Sequence, residues 1–93
     1  MAHALLTKKQ ISSRLQELTG WTKVGSEIRR TVAFADFVRA MGFVNSVALL
    51  AQRINHHPDI DIRWNKVTLV LSTHSEGGLT DLDFKLAKLI DQL

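Results

Sequence analysis

Residues 60–64 alternate strictly between apolar and polar, and after Asn65-Lys66 a second alternating run begins at Val67. A period of two marks a strand with one covered face, so residues 60–64 and 67–74 are expected to pair as a hairpin. With Asn65-Lys66 as a two-residue turn, Trp64 lies opposite Val67, Ile62 opposite Leu69 and Ile60 opposite Leu71, which makes one apolar face. The other face pairs Arg63 with Thr68, Asp61 with Val70, Asp59 with Ser72 and, just past the regular strand, His57 with His74. A one-residue slip would mix Ile with Ser and Leu with Asp on both faces. The pattern does not choose between this register and one shifted by two.

The rest of the chain punctuates itself in the same way. Thr7 can cap a first helix, with Gln10 completing a capping box and Leu6 stapling against Ile11; the helix is expected to run to about Leu18 and to end at Gly20. Residues 21–24 and 27–34 flank Gly25-Ser26, a Gly-first pair suited to a type II′ hairpin turn. Asp36 can cap a second helix in which Phe37, Met41, Val44, Ala48 and Ala51, and beside them Phe43, Val47, Leu50 and Ile54, recur at three- and four-residue spacing. So wide a stripe predicts a well-buried helix, stopped near Asn55 or His56 because Pro58 disfavours helical geometry at the residue before it. Thr80 caps a third helix, with Asp83 at the capping-box position, Leu79 stapling against Phe84, and Leu86, Leu89, Ile90 and Leu93 continuing its apolar face.

The expected order is therefore α-β-β-α-β-β-α. Hairpins with helices between them predict a two-layer α+β domain, a four-stranded antiparallel sheet with three helices on one face. At 93 residues, 45% hydrophobic and 23% charged, the chain can hold one core. A domain of this size buries only about two-thirds of its surface, which favours self-association. The absence of cysteine removes disulfides, thiolate metal sites and cysteine nucleophiles, and a reducing cytoplasmic setting is the simplest expectation. The N-terminal apolar stretch is too short for a signal peptide, and no run approaches the ~20 residues of a membrane span. The formal net charge is +3, but the basic residues are scattered, so neither nucleic acid nor a membrane is an expected partner.

Three histidines fall where the second helix and the second hairpin meet: His56 and His57 at the helix end, His74 at the strand end. Imidazole, with an unperturbed pKa of roughly 6.5, both gives and takes protons near neutrality, so a cluster of them suits acid-base chemistry. Singly, each has an ordinary explanation, as a cation at a helix C-terminus or a polar strand end. A zinc shell of three His with Asp59 or Asp61 competes, but adjacent histidines chelate awkwardly and the i, i+4 helical pair is missing, so no metal or other cofactor is expected. Trp64 falls on the apolar face and is expected in the core.

Asn55-His56-His57-Pro58, Trp64-Asn65-Lys66-Val67, Leu71-Ser72-Thr73-His74 and Gly78-Leu79-Thr80 with Asp83, spaced without a gap, resemble the motif of the pterin-4a-carbinolamine dehydratases. Trp21, Phe34 and the helix of residues 37–51 extend the resemblance over most of the chain. It implies dehydration of 4a-hydroxytetrahydropterin in tetrahydropterin recycling, with His56 and His74 as acid and base and His57 binding substrate. Ser72 and Thr73 would offer backbone hydrogen bonds to the flat pterin amide, and Gln52 and Asp83 would line the same site. Many family members have Glu where this chain has Gln52, and a carboxamide takes no proton, although it can still orient a ring. Asp83 is equally accounted for by its helix cap. The resemblance also implies a homodimer or homotetramer assembled through helices, and, from animal relatives, a possible protein partner in transcription.

Overall fold

The structure, a computed structural model, describes residues 3–93. Its elements are α1 (Lys8–Leu15), β1 (Thr22–Val24), β2 (Glu27–Ala33), α2 (Phe37–Ile54), β3 (Asp59–Arg63), β4 (Lys66–Leu71) and α3 (Asp81–Asp91), with a 3-10 turn, His74–Glu76, before α3. The strands form one open antiparallel sheet in the order β1-β2-β4-β3, so the α+β class and the element order are as expected.

Each helix starts at the residue whose side chain caps it. Thr7 Oγ1 accepts from the Gln10 amide at 3.2 Å while Gln10 Oε1 accepts from the Thr7 amide at 2.9 Å. Asp36 accepts from the Arg39 amide at 2.8 Å, and Thr80 from the Leu82 amide at 3.3 Å. α1 is shorter than expected: beyond Leu15 the amides of Glu17 and Leu18 bond three residues back, to Arg14 and Leu15, and the winding tightens out of the α form. In the first hairpin Gly25 carries the positive φ, 60°, that the first position of a type II′ turn requires.

One sheet face is covered. Ile28 stands opposite Leu71 and Val32 opposite Val67 on adjacent strands, and Ile28, Val67, Leu69 and Leu71 are fully buried, each contributing about 1.5–3 kcal/mol. Ile11 of α1, Ala40, Val47 and Ala51 of α2, and Phe84, Leu86, Ala87 and Ile90 of α3 close the same core. The other face keeps polar side chains, with Thr31 and Thr68 hydrogen-bonded across the strands at 2.9 Å. Arg30 lies on the covered face and reaches Asp91 at the end of α3 (2.7 Å); Asp91 also accepts from the Trp21 indole (2.7 Å) and the Thr19 amide (3.0 Å).

Three expectations for the second hairpin are corrected. The second hairpin turns at Trp64-Asn65, not Asn65-Lys66, so Arg63 pairs with Lys66, Ile62 with Val67 and Ile60 with Leu69. This is the two-residue shift, which keeps the apolar and polar faces and changes only the partners. Its cause is a contact from outside the hairpin: Asn65 Nδ2 donates to the Phe34 carbonyl and its own carbonyl accepts from the Phe34 amide, both at 2.8 Å. Trp64 therefore takes a left-handed backbone (φ 51°) and is 67% exposed, not in the core. That conformation costs a non-glycine residue about 1–2 kcal/mol. In this register His57 does not come opposite His74, and β4 ends at Leu71.

α2 is also less buried than its stripe predicts. Of the stripe only Val47 and Ala51 are buried, while Phe37 and Ala48 are exposed and the rest are half-buried; off the stripe, Val38 and Leu49 are 78% and 74% exposed. α3 stops at Asp91, leaving Leu93 exposed. Among the described residues no helix is long and apolar enough to cross a membrane.

Candidate functional site

Pro58 and Asn55 together place the paired histidines. Asn55 closes α2 in the left-handed conformation (φ 51°), which Asn tolerates better than most residues. The His56 amide then bonds back to the Ala51 carbonyl at 3.1 Å, the long closing bond of a Schellman turn. The reversal sends His56 inward, 8% exposed, and leaves His57 at the surface, from which Pro58 leads into β3.

Beneath His56 lies Asp83, fully buried. His56 Nε2 is 2.6 Å from Asp83 Oδ1. Asp83 Oδ2 accepts from Thr73 Oγ1 at 2.8 Å and from the Thr80 amide at 3.0 Å, and the Thr73 and Thr80 hydroxyls are 2.7 Å apart. Burying a carboxylate is costly unless its oxygens are met by donors, and here both are. With Asp83 ionised the proton of that contact sits on His56 Nε2, which leaves Nδ1 as the acceptor. Nδ1 has no partner among the described residues and is not sealed from solvent, so it is the nitrogen presented outward.

A cavity of about 340 Å³ opens above this pair, lined by Asn55, His56, His57, Ser72, Thr73, His74, Ser75 and Leu82. All three histidines border it, although the ladder that was expected to bring His57 to His74 is absent. His74 arrives on the 3-10 turn instead, held by the Thr73–Gly78 bridge. Gln52 lies on the far side of His57: its Oε1 is 2.9 Å from His57 Nε2, so the carboxamide orients His57 rather than His56. Together with His57, Pro58, Ile60 and Leu49 it lines a second, more apolar groove. Ser72 directs its hydroxyl to the Ser26 carbonyl at 2.8 Å. The Thr73 amide is taken by the Gly78 carbonyl at 2.8 Å, so it is not a free donor at the cavity.

Asp83 thus does not line the cavity; it backs the histidine that does. Thr80, read from the sequence as a cap alone, belongs to the same network. The one local signal was the capping box, whose carboxylate has a second oxygen that the helix does not use. Among the described residues no group of three or more His, Asp or Glu side chains is arranged to hold a metal ion.

A family model described as pterin 4 alpha carbinolamine dehydratase matches residues 4–93. The chain belongs to that family. A pterin-4-alpha-carbinolamine dehydratase of Roseiflexus castenholzii, so named provisionally, is 57% identical to it over 97% of each chain. Among solved structures, a transcriptional coactivator/pterin dehydratase from Brucella melitensis is 39% identical, with a TM-score of 0.90 over 94% of this dehydratase-family chain and 95% of its own. A pterin dehydratase-like protein described as a RuBisCO assembly factor of the α-carboxysome shares the fold, with a TM-score of 0.67 and 19% identity over 80% of this chain and 88% of its own.

Proposed function

We propose that this chain dehydrates pterin-4a-carbinolamines, converting 4a-hydroxytetrahydropterin to the quinonoid dihydropterin in tetrahydropterin recycling. The observation that carries the reading is the 2.6 Å contact between His56 and a fully buried Asp83, at the floor of a cavity bordered by two further histidines. In the reaction the C4a–O bond breaks and the hydroxyl leaves as water after receiving a proton. The ring nitrogen on the carbinol carbon gives its proton to a base, and its electron pair forms the carbon–nitrogen double bond. His56 takes the base role through Nδ1, with Asp83 behind it stabilising the imidazolium that forms. His74, across the cavity, protonates the leaving hydroxyl. His57, held by Gln52, orients the pterin, with Ser72 and Thr73 forming the wall beside it. No metal or organic cofactor enters this scheme.

General acid-base catalysis contributes about 10²–10⁴-fold. His56→Ala and His74→Ala are each expected to lower kcat for 4a-carbinolamine dehydration by about 100-fold or more, measured by the absorbance of the quinonoid product. Wild-type rates in both variants would remove the reading.

A second reading, contact with another protein or another copy of the chain, is favoured by the exposed Phe37, Val38 and Leu49 of α2. The solved relative from Brucella melitensis is described as a transcriptional coactivator/pterin dehydratase, a name that pairs the two roles. Phe37 and Val38 border neither the histidine cavity nor the groove beside His57, so substitutions there separate the two roles.

A further inference from the structure

The hydrogen bonds behind His56 can run in only one direction. With Asp83 ionised its oxygens only accept, so the Thr73 hydroxyl spends its single proton on Oδ2 (2.8 Å). Thr73 Oγ1 can then only accept in its 2.7 Å contact with Thr80, and Thr80 must donate. Thr80 Oγ1 in turn accepts from the Leu82 amide at 3.3 Å. The Leu82 amide therefore donates to the Thr80 hydroxyl, that to the Thr73 hydroxyl, and that to Asp83 Oδ2, which also accepts from the Thr80 amide. This series of hydrogen bonds begins in the first turn of α3, where backbone amides carry partial positive charge, and beyond that part-buried first link it is buried, Thr73 at 4% and Thr80 and Asp83 at 0% exposure. Polarised chains of this kind strengthen link by link away from water.

We propose that Thr73 and Thr80 are positioning residues: their hydroxyl chain keeps Asp83 an acceptor toward His56 and so holds His56 with its proton on Nε2 and its lone pair on Nδ1. The proposal rests on the dehydratase reading for its kinetic consequence only. With the chain intact, Oδ2 is doubly occupied and Oδ1 remains for His56. With the Thr73 hydroxyl removed, Oδ2 keeps only the Thr80 amide, the buried carboxylate is one donor short, and the neutral acid becomes accessible; its O–H donates to His56 Nε2 and puts the imidazole proton on Nδ1, the second tautomer.

The test uses the full chain, ¹⁵N-labelled at histidine, with long-range proton–nitrogen correlation to read which nitrogen of His56 is protonated; His56→Gln assigns the signals. Wild type is expected to show the Nε2–H tautomer alone. Thr73→Val is expected to show both tautomers, with kcat lower by about tenfold and KM within about twofold, a modest part of what acid-base catalysis supplies. Thr73→Ser restores the hydroxyl and is expected to restore both readouts. Thr80→Val, which keeps the Thr80 amide on Asp83, is expected to fall between wild type and Thr73→Val and carries the same test if the latter does not fold. A single Nε2–H tautomer with unchanged kcat in both Val variants overturns the proposal, as does Thr73→Ser behaving like Thr73→Val. If the wild-type chain does not dehydrate the carbinolamine, the functional reading fails while the tautomer measurement still decides the role of the hydroxyls.

Discussion

Asp83 holds the third position of α3, yet only one of its oxygens serves the helix. The other meets a histidine from the end of α2, 27 positions earlier. Replacing the carboxylate by a carboxamide keeps the volume and changes the protons. In Asp83→Asn, one side of the group donates: with its oxygen kept toward Thr73 and the Thr80 amide, the NH₂ faces His56 Nε2 and forces the proton onto Nδ1. The base is then in the wrong tautomer, a change that costs about 10⁴-fold in a serine-protease triad. A fall in kcat of about 100-fold or more, no larger than that of His56→Ala, is expected, with the fold retained by circular dichroism; a loss under tenfold would mean that His56 Nδ1 is not the proton acceptor.

At the scale of elements, the local signals are the ones that read true. Thr7, Asp36 and Thr80 cap their helices because a cap involves only the next two or three amides. Asn55 is equally local, and its left-handed closure of α2 gives a direct measurement. Asn55→Gly is expected to leave stability within a few tenths of a kcal/mol, while Asn55→Ala lowers it by about 1 kcal/mol in urea unfolding and loosens His56 with it. Equal stabilities of the two variants would contradict the role given to that backbone. What was not legible depends on contacts distant in sequence. The hairpin register is decided by Asn65 on Phe34, which an alternating pattern cannot show, since it repeats unchanged under a shift of two. The histidine cluster was legible from its motif, but not the route by which His74 reaches it, because residues 72–78 leave the strand and fold back through the Thr73–Gly78 bridge. The partners of Asp83 and Gln52 were hidden for the same reason: composition offers several rings, and geometry assigns Asp83 to His56 and Gln52 to His57.

For the molecule as a whole, the sequence counted apolar residues on α2 without saying what covers them. One chain leaves Phe37, Val38 and, about three turns further along α2, Leu49 exposed, apolar surface that small domains ordinarily bury by association. The wild-type mass in solution is expected to be a multiple of the 10.5 kDa chain, and Val38→Glu with Leu49→Glu to reduce it to a monomer without disturbing the secondary structure. A monomeric wild type at micromolar concentration would contradict this. Within the single chain, Asp91 ties the end of α3 to Trp21, Thr19 and Arg30. The protein has only two tryptophans, one clasped there and buried, the other, Trp64, standing in water at the tip of the second hairpin. Its intrinsic fluorescence is therefore the sum of a blue-shifted and a red-shifted emitter: the first dims or reddens when the C-terminus lets go, and the second changes when something settles on the hairpin tip.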